Sequence, residues 1–198
     1  MSRALPIALA ALALGLAAPA AAEGIYLTEP QLCAKLFPEA PHAKAETLTL
    51  SEAEAAQVSN LYGFRIEGRS YRALTVSDDS GVKGTLFILD VMGQNAPITF
   101  GVGITAAGTI RGVAVMAYRE PRGEEIRSPR FLRQLQGKSL HDPLAIGADV
   151  DAVTGATISS RSATLAARKA LAIAAVLHAR AVAQAASVPR PAAGRPSR

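Results

Sequence analysis

Asp151-Ala152-Val153-Thr154-Gly155-Ala156-Thr157-Ile158-Ser159-Ser160 gathers in one stretch the residues of this chain best suited to chemistry. An acidic residue stands upstream, hydroxyl residues flank Gly155-Ala156, and an alanine-rich run follows. Glycine takes left-handed dihedrals closed to other residues, so the stretch reads as a turn feeding a helix. Thr157, Ser159 or Ser160 is then the candidate N-cap, its side-chain oxygen accepting a first-turn N–H. Such a start also collects unpaired N–H groups at the positive end of the helix dipole, an arrangement that suits a phosphate. For Thr-Gly-Ala-Thr alone, a plain cap and a phosphate-binding turn both remain open.

The longer pattern, Asp-x-x-(Ser/Thr)-Gly-Ala-Thr followed by small hydroxyl residues, resembles the flavinylation motif of the FMN-binding domain family. That family includes the C subunit of the sodium-pumping NADH:quinone oxidoreductase and the G subunit of the related ferredoxin-linked electron-transport complex. The resemblance covers about residues 83–174. It implies FMN carried covalently through a phosphoester on the last motif threonine, here Thr157. It further implies that Asp151, Thr154, Gly155 and Ala156 form the recognition and phosphate-binding turn, with Ser159 beside it. The partners implied are an FAD:protein FMN transferase acting outside the cytoplasm and membrane-bound or periplasmic redox proteins.

A second part of the family pattern is only partly present. After a β-hairpin the family carries His-x-Glu-Thr-Pro-Gly near the flavin, where this chain has Tyr118-Arg119-Glu120-Pro121-Arg122-Gly123. Composition alone reads this segment as a solvated loop with exposed ion pairs. The resemblance makes Tyr118, Arg119, Glu120 and Arg122 candidate flavin neighbours. A guanidinium near reduced flavin would stabilise its negative charge, with Glu120 holding the Arg in place.

The elements that must position these residues follow from periodicity. Thr28-Glu29-Pro30-Gln31 and Ser51-Glu52-Ala53-Glu54 are capping-box starts for two short N-terminal helices. From Arg65 to Tyr118 the period changes to that of strands. The candidates are 71–76, 85–92, 97–104 and 110–118, the last two joined as an antiparallel hairpin across Ala106-Ala107-Gly108-Thr109. Gly101, Gly103 and Gly112 point to bulges or close packing of another group, with strand twist alone an equal alternative at any one of them. The glycine-bearing hairpin and its Tyr-Arg-Glu end are thus a candidate surface for a ring held at Thr157. A short helix is expected from Ser128-Pro129, and a long one over about 158–186. The fold class is α+β, an antiparallel sheet with a β-hairpin core packed by short N-terminal helices and a long C-terminal helix.

Met1 to Ala22 reads as a secretory signal peptide: Arg3, an apolar run over 5–18, and the small-residue site Pro19-Ala20-Ala21-Ala22. A periplasmic location follows, with a retained N-terminal anchor as the alternative. No later segment reads as a membrane span. The division expected is 23–186 as one FMN-binding domain, helical over 23–64 with a flavin-binding core over 65–186. A basic, proline-rich tail occupies 187–198.

Composition narrows the chemistry. Cys33 is the single cysteine among 198 residues, which excludes an intramolecular disulfide, c-type haem attachment and cysteine-ligated iron–sulfur clusters. His42, His141 and His178 lack metal-ligand spacing, so redox chemistry requires an organic cofactor. The chain has no Trp and a net charge of only +5, which argues against nucleic-acid binding. His141-Asp142 comes without a nucleophile elbow, so a hydrolase is disfavoured. The leading function is an electron-transfer flavoprotein, more a carrier than an enzyme with its own substrate. The alternatives are a flavin-dependent reductase of a small substrate and a non-redox module binding a phosphate ligand.

Overall fold

The computed structural model describes residues 24–187, so the expected signal peptide (1–22) and nearly all of the expected tail lie outside the described residues. The elements are β1 (Gly24–Ile25), α1 (Glu29–Leu36), β2 (His42–Thr49), α2 (Glu52–Tyr62), β3 (Ser70–Asp78), β4 (Gly81–Met92), β5 (Pro97–Thr105) and β6 (Ile110–Tyr118). A 3₁₀ turn (Glu124–Arg127), α3 (Pro129–Arg133) and α4 (Thr157–Ser187) complete the chain. Ser187, expected to begin the tail, is the last residue of α4.

β2 to β6 form a sequential antiparallel meander, and β1 pairs with the far side of β6, giving the order β1-β6-β5-β4-β3-β2. The fold is therefore α+β, as the strand periodicity and the terminal helical run require. Alternation along the strands builds two cores. Phe87, Phe100, Val102, Val113 and Val115 face the larger one, shared with α2 and α4. Leu74, Val76, Leu86, Ala114 and Met116 face the smaller one, closed by α1.

Two strands lie where only helices were expected over 23–64. β2 is an edge strand whose residues His42 to Glu46 leave at most one partly covered side chain, so its sequence carries no apolar alternation to reveal it. β1 is two residues long and is defined by its pairing with Ala117 and Tyr118. The N-terminal part is thus woven into the same sheet rather than being a separate helical region. The α2 start is as its sequence indicates: the Glu54 N–H donates to Ser51 Oγ at 3.3 Å and the Ser51 N–H to Glu54 Oε2 at 2.7 Å. Gly63, at φ +83°, ends it.

The hairpin glycines make room for α1. A Cβ on Gly101 would lie 2.5 Å from Leu32 Cδ1, and one on Gly112 2.9 Å from Leu36 Cδ2. Gly103 would similarly meet Phe37, and the β5–β6 register shifts beside it. Close packing and a bulge are both present. This glycine surface belongs to the α1 side and does not serve as a ring-binding face.

α4 crosses the opposite face. Ser160, Ala163, Ala166, Ala167, Ala170, Leu171 and Ile173 are almost wholly buried, alanine letting the helix approach the sheet closely. Beyond Leu177 the helix is largely exposed. By length and composition α4 is apolar enough to cross a membrane, with a mean hydropathy of 1.4 over its most apolar 18 residues. A helix packed into a core meets the same criterion, and the first half of α4 is packed in that way. Alanine raises the average here without forming a long block of large apolar side chains.

Leu32→Ala is expected to cost about 2–5 kcal/mol, since Leu32 is fully buried against Gly101. Gly101→Ala should be less harmful in that background than in the wild type, by about 1 kcal/mol. Urea unfolding of the two single variants and the double variant checks both.

Candidate functional site

The motif folds as a β-turn followed directly by a helix. The Ala156 N–H donates to the Val153 carbonyl at 3.0 Å, and Gly155 holds φ +79°, the positive value required at the third position of a type II turn. α4 begins at Thr157, and the Ser160 N–H returns to the Ala156 carbonyl at 2.8 Å as the first helical bond. The position before the helix is thus Ala156, which has no capping oxygen. The N-cap role expected of Thr157, Ser159 or Ser160 is not realised, and the N–H groups of Thr157, Ile158 and Ser159 precede the first intrahelical bond.

The serines that follow act as fasteners. Ser160 Oγ accepts the Val153 N–H at 3.1 Å and closes the turn against the helix. Ser162 Oγ donates to the Met92 carbonyl at 2.8 Å, fixing α4 to the end of β4. Ser159 lies 2.9 Å from the Tyr118 hydroxyl, which also lies 2.5 Å from the Arg122 carbonyl. Tyr118 has one proton, and the carbonyl can only accept, so Ser159 donates to Tyr118. Burial pushes the Tyr118 hydroxyl pKa up, with the Ser159 bond acting the other way, so the phenol stays a donor at neutral pH. Gly123 completes the joint. At φ +94° a Cβ there would lie 2.6 Å from the Tyr118 oxygen and 2.9 Å from Ser159 Oγ.

Glu120 has a different partner from the one expected. It accepts the Asn95 N–H at 2.7 Å, the Ala96 N–H at 3.0 Å and the Asn95 side-chain amide at 3.0 Å. Burial raises its carboxyl pKa, but the N–H bonds from Ala96 and Asn95 prevail and hold it below the ordinary value. Glu120 thus ties the β4–β5 turn to the segment after β6. Arg119 points along β5, its Nη1 donating to Thr99 Oγ1 at 3.0 Å.

Between these segments lies a groove of about 580 Å³. Gln94, Asn95, Glu120, Pro121 and Arg122 form one wall, and Gly155 to Ser159 the other. Thr157 and Ile158 are exposed at its rim, while Ser159 is buried at its base. Of the predicted set, Glu120, Arg122, Gly155, Ala156, Thr157 and Ser159 line it. Tyr118 lies beneath it, and Arg119 is outside it. Asp151 and Thr154 face a separate depression of about 860 Å³, shared with Arg130, Phe131 and Gln134. The Asp151 main chain is held there by Gln134, whose side chain bonds its N–H at 2.9 Å and its carbonyl at 3.2 Å. Gln94, Asn95 and Gly123 escaped the sequence reading. The Gly-Gln-Asn turn and the glycine after Arg122 were visible signals, but their proximity to the motif arises only from the fold.

The cavity size and the open helix start fit an anionic, phosphate-bearing ligand. Arg122 adds a positive charge with no acidic partner among the described residues, while the Glu120 charge is absorbed by Asn95 and Ala96. Among the described residues no cluster of His, Cys, Asp and Glu is arranged to hold a metal ion.

Tyr118→Phe removes both hydrogen bonds at the joint and should cost about 1–3 kcal/mol, since it strands the Arg122 carbonyl and the Ser159 hydroxyl. Gly123→Ala should cost more, because it adds a steric clash to an unfavourable φ. Thermal unfolding of both variants checks the order.

The chain resembles known proteins in the region that builds this groove. Residues 93–172 match the model of the FMN-binding domain. Among solved structures, the crystal structure of NqrC from Shewanella oneidensis is similar at 20% identity, over 73% of this chain and 87% of that one, with a TM-score of 0.49. No curated protein sequence matches the chain. The matched segment runs from the end of β4 into α4 and contains both walls of the groove, so the groove is built from the part of the chain that is similar to the FMN-binding domain.

Proposed function

We propose that the protein is an extracytoplasmic electron carrier whose FMN is joined through a phosphoester to Thr157. The observation that carries this reading is the placement of Thr157: a solvent-exposed hydroxyl on the first residue of α4, at the rim of the groove. An acceptor of modification must be reachable by another enzyme, and here an FAD:protein FMN transferase is the enzyme implied. The leader-like sequence of residues 1–22 supports maturation and function in the periplasm.

Bound FMN would supply the ability to accept two electrons and pass them on singly. The chain's own residues do the rest. The first-turn N–H groups of α4 and its dipole favour the phosphate charge, a contribution of about 0.3–1 kcal/mol. Arg122 places positive charge in the groove and favours the reduced, more negative state. Glu120 keeps the β4–β5 turn in place as the opposite wall. Tyr118 and Ser159 hold the two walls together at the base of the groove. Attachment to Thr157 keeps the cofactor with the protein in a compartment where a dissociating flavin would be lost. Membrane-bound or periplasmic redox proteins are the expected donor and acceptor.

The test is production of the chain together with a flavin transferase, followed by denaturation. Yellow fluorescence should stay with the wild-type polypeptide and be lost in Thr157→Ala; a colourless wild type would overturn the proposal. Arg122→Ala should lower the midpoint potential by about 20 mV, the two-electron equivalent of about 1 kcal/mol. Arg119→Ala should leave it unchanged, because Arg119 points to Thr99 and away from the groove. Potentiometric titration of the loaded variants measures both.

A further inference from the structure

A depression of about 330 Å³ lies over β6 between α1 and α3, separate from the flavin groove. Lys35, Arg111, Arg127 and Arg133 line it, and no carboxylate does. Glu39, outside the lining, bonds Arg111 at 3.1 Å, and Glu124 pairs with Arg127. Lys35, from the α1 wall, and Arg133, from the α3 wall, have no acidic partner among the described residues. Leu36, Val113 and Leu132 give the depression an apolar component.

Two of the cations are already oriented. Arg111 Nε donates to the Leu36 carbonyl at 3.0 Å, and the Arg127 guanidinium lies 3.4 Å from the centre of the Tyr26 ring. Side chains held before binding lose little entropy on binding. With Arg111 and Arg127 paired, Lys35 and Arg133 leave two uncompensated positive charges on opposite walls of one depression, which carboxylates of a ligand would neutralise.

We propose that this depression docks an acidic segment of a partner protein, one apolar side chain entering it and carboxylates on either side meeting Lys35 and Arg133. Its concave, partly apolar form favours a peptide segment over a flat lipid surface, which would meet only the rim. No aromatic side chain lines it to stack nucleic-acid bases. The area is small, which suits a transient encounter guided by charge. Arg127 sits in the 3₁₀ turn that follows Gly123, the residue packed against the start of α4, so the docked segment lies on the same connection that walls the flavin groove. The purpose of such docking rests on the electron-carrier reading, whereas the binding itself does not.

The experiment measures fluorescence anisotropy of a labelled Asp-Glu-Leu-Glu-Asp peptide on the full chain. Binding should weaken about tenfold between about 20 and 200 mM salt. The pair Lys35→Glu/Arg133→Glu should weaken it about tenfold at low salt. The pair Lys44→Glu/Arg69→Glu, which changes the net charge equally outside the depression, should weaken it far less. Equal losses in the two pairs would show a response to net charge alone and overturn the proposal. So would phosphatidylglycerol vesicles whose binding depends on Lys35 and Arg133 while the peptide's does not. Thr157→Ala should bind the peptide like the wild type, so loss of flavin attachment and loss of docking are read separately. A Thr157→Ala protein that no longer binds the peptide would contradict the proposal.

Discussion

The proton of the Tyr118 hydroxyl organises the site. It goes to the Arg122 carbonyl, so the same oxygen must accept from Ser159, and the end of β6, the following loop and the first turn of α4 become one unit. Gly123 makes this possible by leaving the space in which the hydroxyls meet. The orientation of the helix follows. With 3.6 residues per turn, Thr157 lies about 200° around the axis from Ser159. Fastening Ser159 inward therefore turns Thr157 outward, to the rim of the groove.

The same joint explains a helix start without a cap. Ordinarily a Ser or Thr oxygen would satisfy a first-turn N–H. Here Ser159 is engaged with Tyr118, Ser160 with Val153, and the preceding position is alanine. The dipole end is left for a ligand, beside Arg122 and opposite a carboxylate already held by two backbone N–H groups. Stability forgone at the cap becomes binding capacity at the groove, and fold and function meet in that exchange.

The meander from β3 to β6 was legible because its strands are rich in branched and aromatic residues separated by short turns, and the capping signal of α2 has the geometry its residues indicate. β2 was hidden by its exposed, charged edge position, and β1 by its length. Glu120 shows the limit at the site. Its neighbours in sequence are Arg119 and Pro121, which suggested an ion pair, yet its partners are 24 and 25 residues away and are brought to it by the β4–β5 turn. Likewise Asp151 and Thr154, close to Thr157 in sequence, open onto the other side of the turn because Gly155 reverses the chain between them. Patterns carried within one segment could be read; contacts between segments needed the sheet.

The central claim is that Thr157 carries the flavin. Trypsin releases it within the peptide running from Ser139 to Arg161, which contains further hydroxyls at Ser139, Thr154, Ser159 and Ser160. Fragment-ion mass spectrometry of this peptide, from protein isolated from its native source, is the most direct measurement. The prediction is an added mass equal to FMN less one water, located on Thr157. The same mass on Thr154 or a serine, or an unmodified peptide from a host containing the transferase, would contradict it.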